Sequence, residues 1–183
     1  MSASGLELGG GELVFEHVGT MVCRERLLLC DVEYFDPRFA GMRRGKVELG
    51  VELEVMPGPW QVLLVRDPSA KDEDEREAEL RFVLLAHDDE LDDHTPLDQA
   101  EAVALVRVDS GRITVVDAEL REDEVIATAL VEAPREQVPC LLTAPGDTDP
   151  RGALLDIDLG GVFELYAGLG RPRSSLFLTL AQD

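Results

Sequence analysis

The chain predicts a mainly β fold, α+β at most: an antiparallel β-sandwich or a strongly bent sheet, with one helix around 118–133. Three observations carry this. About nine short runs rich in branched and aromatic residues are separated by Gly, Pro and Asp clusters. One run, "KVELGVELEV", alternates apolar and polar residues over Val47, Leu49, Val51, Leu53 and Val55, the period of a strand with one wet face. One other run has helical spacing and a proline stop.

In order, residues 1–11 are Gly/Ser-rich and read as a flexible N-terminus, with 12–183 as a single β-rich domain. "ELVFEHV" and "MVCRERLLLCDVEYF" read as strands, and "DPRFAGMRRG" as a loop punctuated by Pro37, Gly41 and Gly45. After "KVELGVELEV", the turn "MPGP" leads into "WQVLLVRD". The charged "PSAKDEDEREAE" separates it from "LRFVLLAHD". "AVALVRV", the turn "DSG" and "RITVVDAEL" form a hairpin, in which Gly111 supplies the turn conformation. From Asp117 to Ala133, Ala118, Val125, Ile126, Ala129, Leu130 and Ala133 recur at helical spacing until Pro134. "ALLDIDL", "GVFELYAG" and "SSLFLTLA" close the chain as strands. "RLLLCDVEYF" echoes "RITVVDAEL", matching Arg26 with Arg112 and Asp31 with Asp117. "PGPWQVLLV" echoes "GGVFELYAG". Two similar halves, 20–95 and 100–183, would explain both echoes.

At 183 residues the chain is long enough for one well-buried core. No apolar run approaches the roughly 18 residues of a membrane span, and no basic-then-apolar export signal opens it, so the expected compartment is the cytoplasm. Cys23, Cys30 and Cys140 are an odd set without zinc spacing and read as reduced thiols. On one strand, Cys23 and Cys30 would point to opposite faces. Cys140, flanked by apolar residues, and Trp60, the only tryptophan, read as core.

Charge dominates the composition. Thirty-eight acidic side chains against 17 basic ones give −21, and Lys46 and Lys71 are the only lysines. Such a surface repels phosphate backbones and anionic lipid, which argues against nucleic-acid and membrane binding, and it draws a cationic protein partner inward. No GxGxxG or GxxxxGK[ST] cradle supports a nucleotide, and no cofactor is expected. Glu73, Asp74, Glu75, Asp88, Asp89, Asp92 and Asp93 are the expected partner contacts, giving charge-assisted hydrogen bonds to arginine and lysine.

Three constellations carry weaker chemistry. In "HDDELDDH", His87 and His94 flank five carboxylates, but the stretch lacks both the glycine-centred calcium spacing and the i, i+4 histidines of a zinc helix. It reads as a solvated acidic loop, with His87 and His94 as weak metal candidates. Asp31 and Asp117 end matching strands and are candidate paired acids of a hydrolase, although such residues more often cap a following turn. Ser110 has no GxSxG elbow around it. Arg38, Arg43 and Arg44, in the basic "PRFAGMRRGK", are candidates to hold an anion or to pair with the chain's own carboxylates.

The order "PGPWQVLLV", charged insert, "ELRFVLLAHD", "VDSGRITVVDAEL", "GGVFELYAG" resembles an uncharacterised bacterial domain-of-unknown-function family with a glycine-aromatic strand and a "VDSG…D" hairpin. The resemblance covers roughly residues 25–181, with Trp60 and Phe163 where tyrosines are common. Some members resemble immunity proteins encoded beside bacterial toxins. The resemblance therefore implies a binding role, neutralising a cationic toxin domain. The alternatives are the Asp31/Asp117 hydrolase and a housekeeping structural module.

Overall fold

A computed structural model describes residues 14–67, 79–87, 100–157 and 160–180. They form two sheets packed face to face. Sheet A has eight strands in the order β1-β6-β7-β13-β12-β8-β4-β3, and sheet B has five in the order β10-β11-β9-β2-β5. In the first part of the chain β1 is Val14–Cys23, β2 Arg26–Asp31, β3 Arg43–Arg44, β4 Val47–Glu48, β5 Gly50–Glu54, β6 Gly58–Asp67 and β7 Glu79–His87. In the second part β8 is Ala100–Val108, β9 Arg112–Asp117, β10 Cys140–Leu142, β11 Gly152–Asp156, β12 Gly161–Gly168 and β13 Ser175–Leu180. Among the described residues there is one α-helix, α1, which spans Glu124–Glu132.

Side-chain alternation explains the apolar runs. In β2, Leu27 and Leu29 enter the core between the sheets, while Leu28 and Cys30 face the opposite side, under α1. In β6, Val62 and Leu64 enter the inter-sheet core, and Leu63 and Val65 belong to a separate cluster with Leu84 and Phe177. A strand buried on both faces reads as an unbroken hydrophobic run, as "RLLLC" and "VLLV" do. β5 is the contrary case: Val51 is buried while Glu52 and Glu54 are not.

The pairing scheme has an approximate two-fold character. Exchanging β1, β2, β5, β6 and β7 for β8, β9, β11, β12 and β13 maps the strand pairings onto themselves. β2 meets β9 about the pair Leu29↔Val115, and β7 meets β13 about Leu84↔Phe177. Matching irregularities fall at matching places. β1 skips Val18 in its pairing with β6, and β8 skips Val103 in its pairing with β12. β6 and β12 each begin on a glycine of positive φ, +125° at Gly58 and +147° at Gly161. Outside the relation fall β3, β4 and β10. β4 lies parallel to β8, between it and the edge strand β3, and after Leu49 the chain crosses to sheet B as β5.

Several sequence expectations need correction. The first two strands divide at Arg24–Glu25, so Cys23 lies in β1 and Cys30 in β2 rather than in one strand, and they belong to different clusters. The "DPRFAGMRRG" loop contains a 3-10 turn at Pro37–Phe39 and the short β3. "KVELGVELEV" is two strands in two sheets. The helix around 118–133 is divided as well: Ala118–Glu122 is 3-10, and α1 starts afresh after Asp123, whose carboxylate accepts from Val125 N and Ile126 N. That cap satisfies two otherwise orphaned donors and resets the helix there. Residues 1–11 lie outside the described residues, as does much of the charged stretch after β6.

Trp60 is fully buried, donates its indole N–H to Met56 O at 2.8 Å, and meets His87 edge-on at 5.9 Å. The His87 ring lies against Gly58, where a Cβ would sit 2.8 Å from His87 Nε2. Gly58→Ala combines that contact with a left-handed φ and is expected to cost about 2–3 kcal/mol. A urea-melt midpoint matching that of the unaltered chain would contradict this placement of His87.

Candidate functional site

Two acid-centred corners hold the chemistry-bearing residues, one at each end of the β2–β9 pair. Asp31, fully buried at the end of β2, caps the Val32–Tyr34 turn by accepting from Glu33 N at 2.8 Å. It also grips the β8–β9 turn, accepting from Asp109 N at 2.6 Å, Ser110 N at 2.7 Å and Ser110 Oγ at 2.7 Å. Tyr34 donates its hydroxyl to Asp109, and Arg107 Nε reaches the same carboxylate at 2.7 Å. Hydrogen bonding to Asp109 pushes the Tyr34 phenol above its ordinary range, and the same bond holds Asp109 below the usual carboxylate range.

Asp117 repeats the arrangement at the end of β9. It caps the Ala118–Glu122 turn through Glu119 N at 3.0 Å and grips the β1–β2 turn through Arg24 N at 2.9 Å. Each strand-end aspartate thus holds the hairpin turn of the other half. Arg151 closes the second corner. Its Nη2 lies 3.1 Å from Asp117 and 2.6 Å from Glu119, and its Nη1 3.3 Å from Asp147. Beside it is a cleft of about 220 Å³ lined by Glu25, Arg26, Asp117, Ala118 and Glu119.

The two candidate acids are therefore not brought together. Leu27 is the residue opposite Asp117 and Ile113 the residue opposite Asp31, so the carboxylates stand at opposite ends of the pair, roughly 13 Å apart along the strands. Each is occupied by backbone N–H groups, as caps are. Ser110 is held between Asp31 and the Arg112 backbone. In the basic stretch, Arg38 pairs with Asp36 at 2.9 Å and Arg43 with Glu48 at 3.4 Å, the internal pairing anticipated for it. Arg44 sits in β3 and acts electrostatically on Tyr34 and Asp109.

His87 donates from Nε2 to Pro57 O at 2.9 Å and is buried beside Trp60, which removes that nitrogen from the cation site considered for it. His94, Glu73, Asp74, Glu75, Asp88, Asp89, Asp92 and Asp93 lie outside the described residues. Among the described residues, no group of three or more His, Cys, Asp or Glu side chains is placed to hold a metal ion. No helix among them is long and apolar enough to cross a membrane.

Sequence reasoning missed the buried arginines. Arg121, Arg151 and Arg173 are all buried, and nothing in "ELRED", "DPRG" or "RPRS" separates them from exposed arginines. Arg121 donates to Glu52 Oε1 at 2.9 Å, whereas its Nε and Nη2 have no partner among the described residues. Arg173 bonds Gly168 O at 2.6 Å and pairs with Glu101.

Burial pushes the Cys23 and Cys30 thiols from an ordinary 9.0 up to about 12, and desolvation raises Cys140, which is only half-buried, as well. Between pH 9 and about 12 the unfolded thiols ionise while the folded ones stay protonated. Stability from this source is complete below pH 9 and is lost as pH rises through that window. In the folded chain at pH 8, a thiol reagent is expected to reach Cys140 alone, and all three cysteines after unfolding. Prompt labelling of Cys30 in the native chain would contradict its burial.

Compared with known proteins, the chain matches no family model, no curated protein and no solved structure.

Proposed function

We propose that this chain is an acidic binding protein of the immunity type, acting in the cytoplasm to neutralise a cationic toxin domain by covering its positive cleft. The observation that carries the reading is the net charge of −21. A field of that sign and size speeds encounter with a basic surface and opposes nucleic acid and anionic lipid. Two further points support it. Acidic residues cluster between Asp72 and Asp93, and the order of short sequence motifs resembles that of a family some of whose members resemble immunity proteins. In addition, Asp31, Asp117 and Ser110 are occupied by framework hydrogen bonds. Glu73, Asp74, Glu75, Asp88, Asp89, Asp92 and Asp93 are the proposed contacts.

An immunity protein is encoded directly after its toxin, so the test begins with the preceding gene. Expressing that product alone is expected to arrest growth, and co-expressing this chain to relieve the arrest. A chain with lysine at the seven proposed contacts, still folded by circular dichroism, is expected to give no relief. A harmless neighbour, or relief undiminished by the seven lysines, would remove the reading.

A further inference from the structure

We propose that the edge of β1 between Val14 and Val18, unpaired among the described residues, is a docking site for an extended, cationic strand of the partner, which joins sheet A by strand addition. The proposal rests on the reading of this chain as a binder of a basic protein. It adds where and in what conformation part of that partner is held.

β1 is the terminal strand of sheet A, with β6 as its one paired neighbour among the described residues. Its last turn of chain is covered: Val22 sends its N–H out of the sheet to Pro150 O at 2.8 Å, and Leu141 of β10 lies over Gly19. The backbone alternation follows from that bond. Val22 is paired with Pro59, which has no N–H to return, so Val22 and then Thr20 face away from β6. The bulge at Val18 shifts the alternation by one residue. Nearer its start, Phe15 and His17 are the residues whose N–H and C=O groups point to the open side.

An open row of this kind is a template for another strand, and proteins ordinarily blunt it with charge, proline or a covering segment. Here the segment is exposed and its one charge is neutralised: Val14 and Phe15 are 50% and 53% exposed, and Glu16 is paired with Arg66 at 3.3 Å. The related strand, β8, is paired with β4 at Leu105 and Val106, which match Thr20 and Met21 in the covered part of β1, so the segment before the bulge has no such strand among the described residues in either half. The charge of the occupant follows from the surroundings. β6 ends at Asp67 and β7 begins at Glu79, paired in register beside the start of β1, and the whole chain carries −21. An incoming strand bearing lysine or arginine is drawn in, and an acidic one, or a second copy of this chain, is repelled.

The probe is a blocked eight-residue peptide alternating valine and lysine, with a valine–glutamate peptide as control. Amide hydrogen exchange of the full chain is followed residue by residue. With free lysine peptide at ten times its Kd, the Phe15 and His17 amides are expected to exchange about tenfold more slowly, and those facing β6 to be unchanged. Phe15→Pro, which deletes one outward N–H at an edge position that tolerates proline, is expected to abolish the His17 protection. Protection elsewhere, no protection, or equal protection by the glutamate peptide overturns the proposal. The exchange pattern is read on the unaltered chain, so a Phe15→Pro chain that fails to fold leaves it decisive. A negative result here leaves the immunity reading standing, because that reading is judged by rescue of growth.

Discussion

Asp31→Ala is expected to cost about 4 kcal/mol of folding stability, read as a lower urea midpoint at unchanged slope. The carboxylate accepts from three backbone N–H groups and one hydroxyl, and it is fully buried, so four donors lose their partner together. Each donor left unpaired in that position costs roughly 1–3 kcal/mol, and the losses overlap because they share one site. Asp31→Asn is expected to recover little. Its amide offers one acceptor, and its N–H₂ is pressed against donors on one side or the other. A catalytic acid behaves in the opposite way, since removing it commonly leaves stability intact or improved. A stable Asp31→Ala chain would therefore reopen the hydrolase alternative.

Arg151→Met is expected to cost about 3 kcal/mol, the second large effect. The substitution keeps the apolar stem and removes the charge, leaving Asp117 buried with two backbone N–H donors but no counter-ion. Breaking one side of a buried pair costs more than replacing both partners. Adding Asp117→Asn to Arg151→Met is thus expected to cost less than the sum of the separate changes, by about 1 kcal/mol or more. Full additivity in urea melts would show that Arg151 serves only Glu119 and Asp147.

Much of the fold was legible because strand periodicity is local. "RLLLC" and "VLLV" lie in runs that read as strands and are found as β2 and β6, whereas "KVELGVELEV", read as one strand with a wet face, is divided between two sheets. The matched pairs Arg26/Arg112 and Asp31/Asp117 fall on β2 and β9, the strands that meet across the two-fold pairing scheme. What Asp31 grips was not legible. Its turn, Asp109–Ser110, lies far along the chain, and short-range patterns carry no record of such a bond. The break at Asp123 was missed because the apolar spacing runs on across it, while the capping carboxylate competes locally and wins. The buried arginines were invisible for a similar reason. A guanidinium is placed inside by partners from other strands, as Glu52 of β5 holds Arg121.

If a dense negative field is the working part, ionic strength controls how fast the partner arrives. Association of the purified chain with the toxin domain proposed as its partner is to be followed by stopped flow from about 20 to 500 mM salt. The on-rate is expected to fall by roughly 10- to 1000-fold across that range, with the off-rate changing far less. An on-rate independent of salt would contradict the claim that charge, rather than a reactive side chain, does the work of this protein.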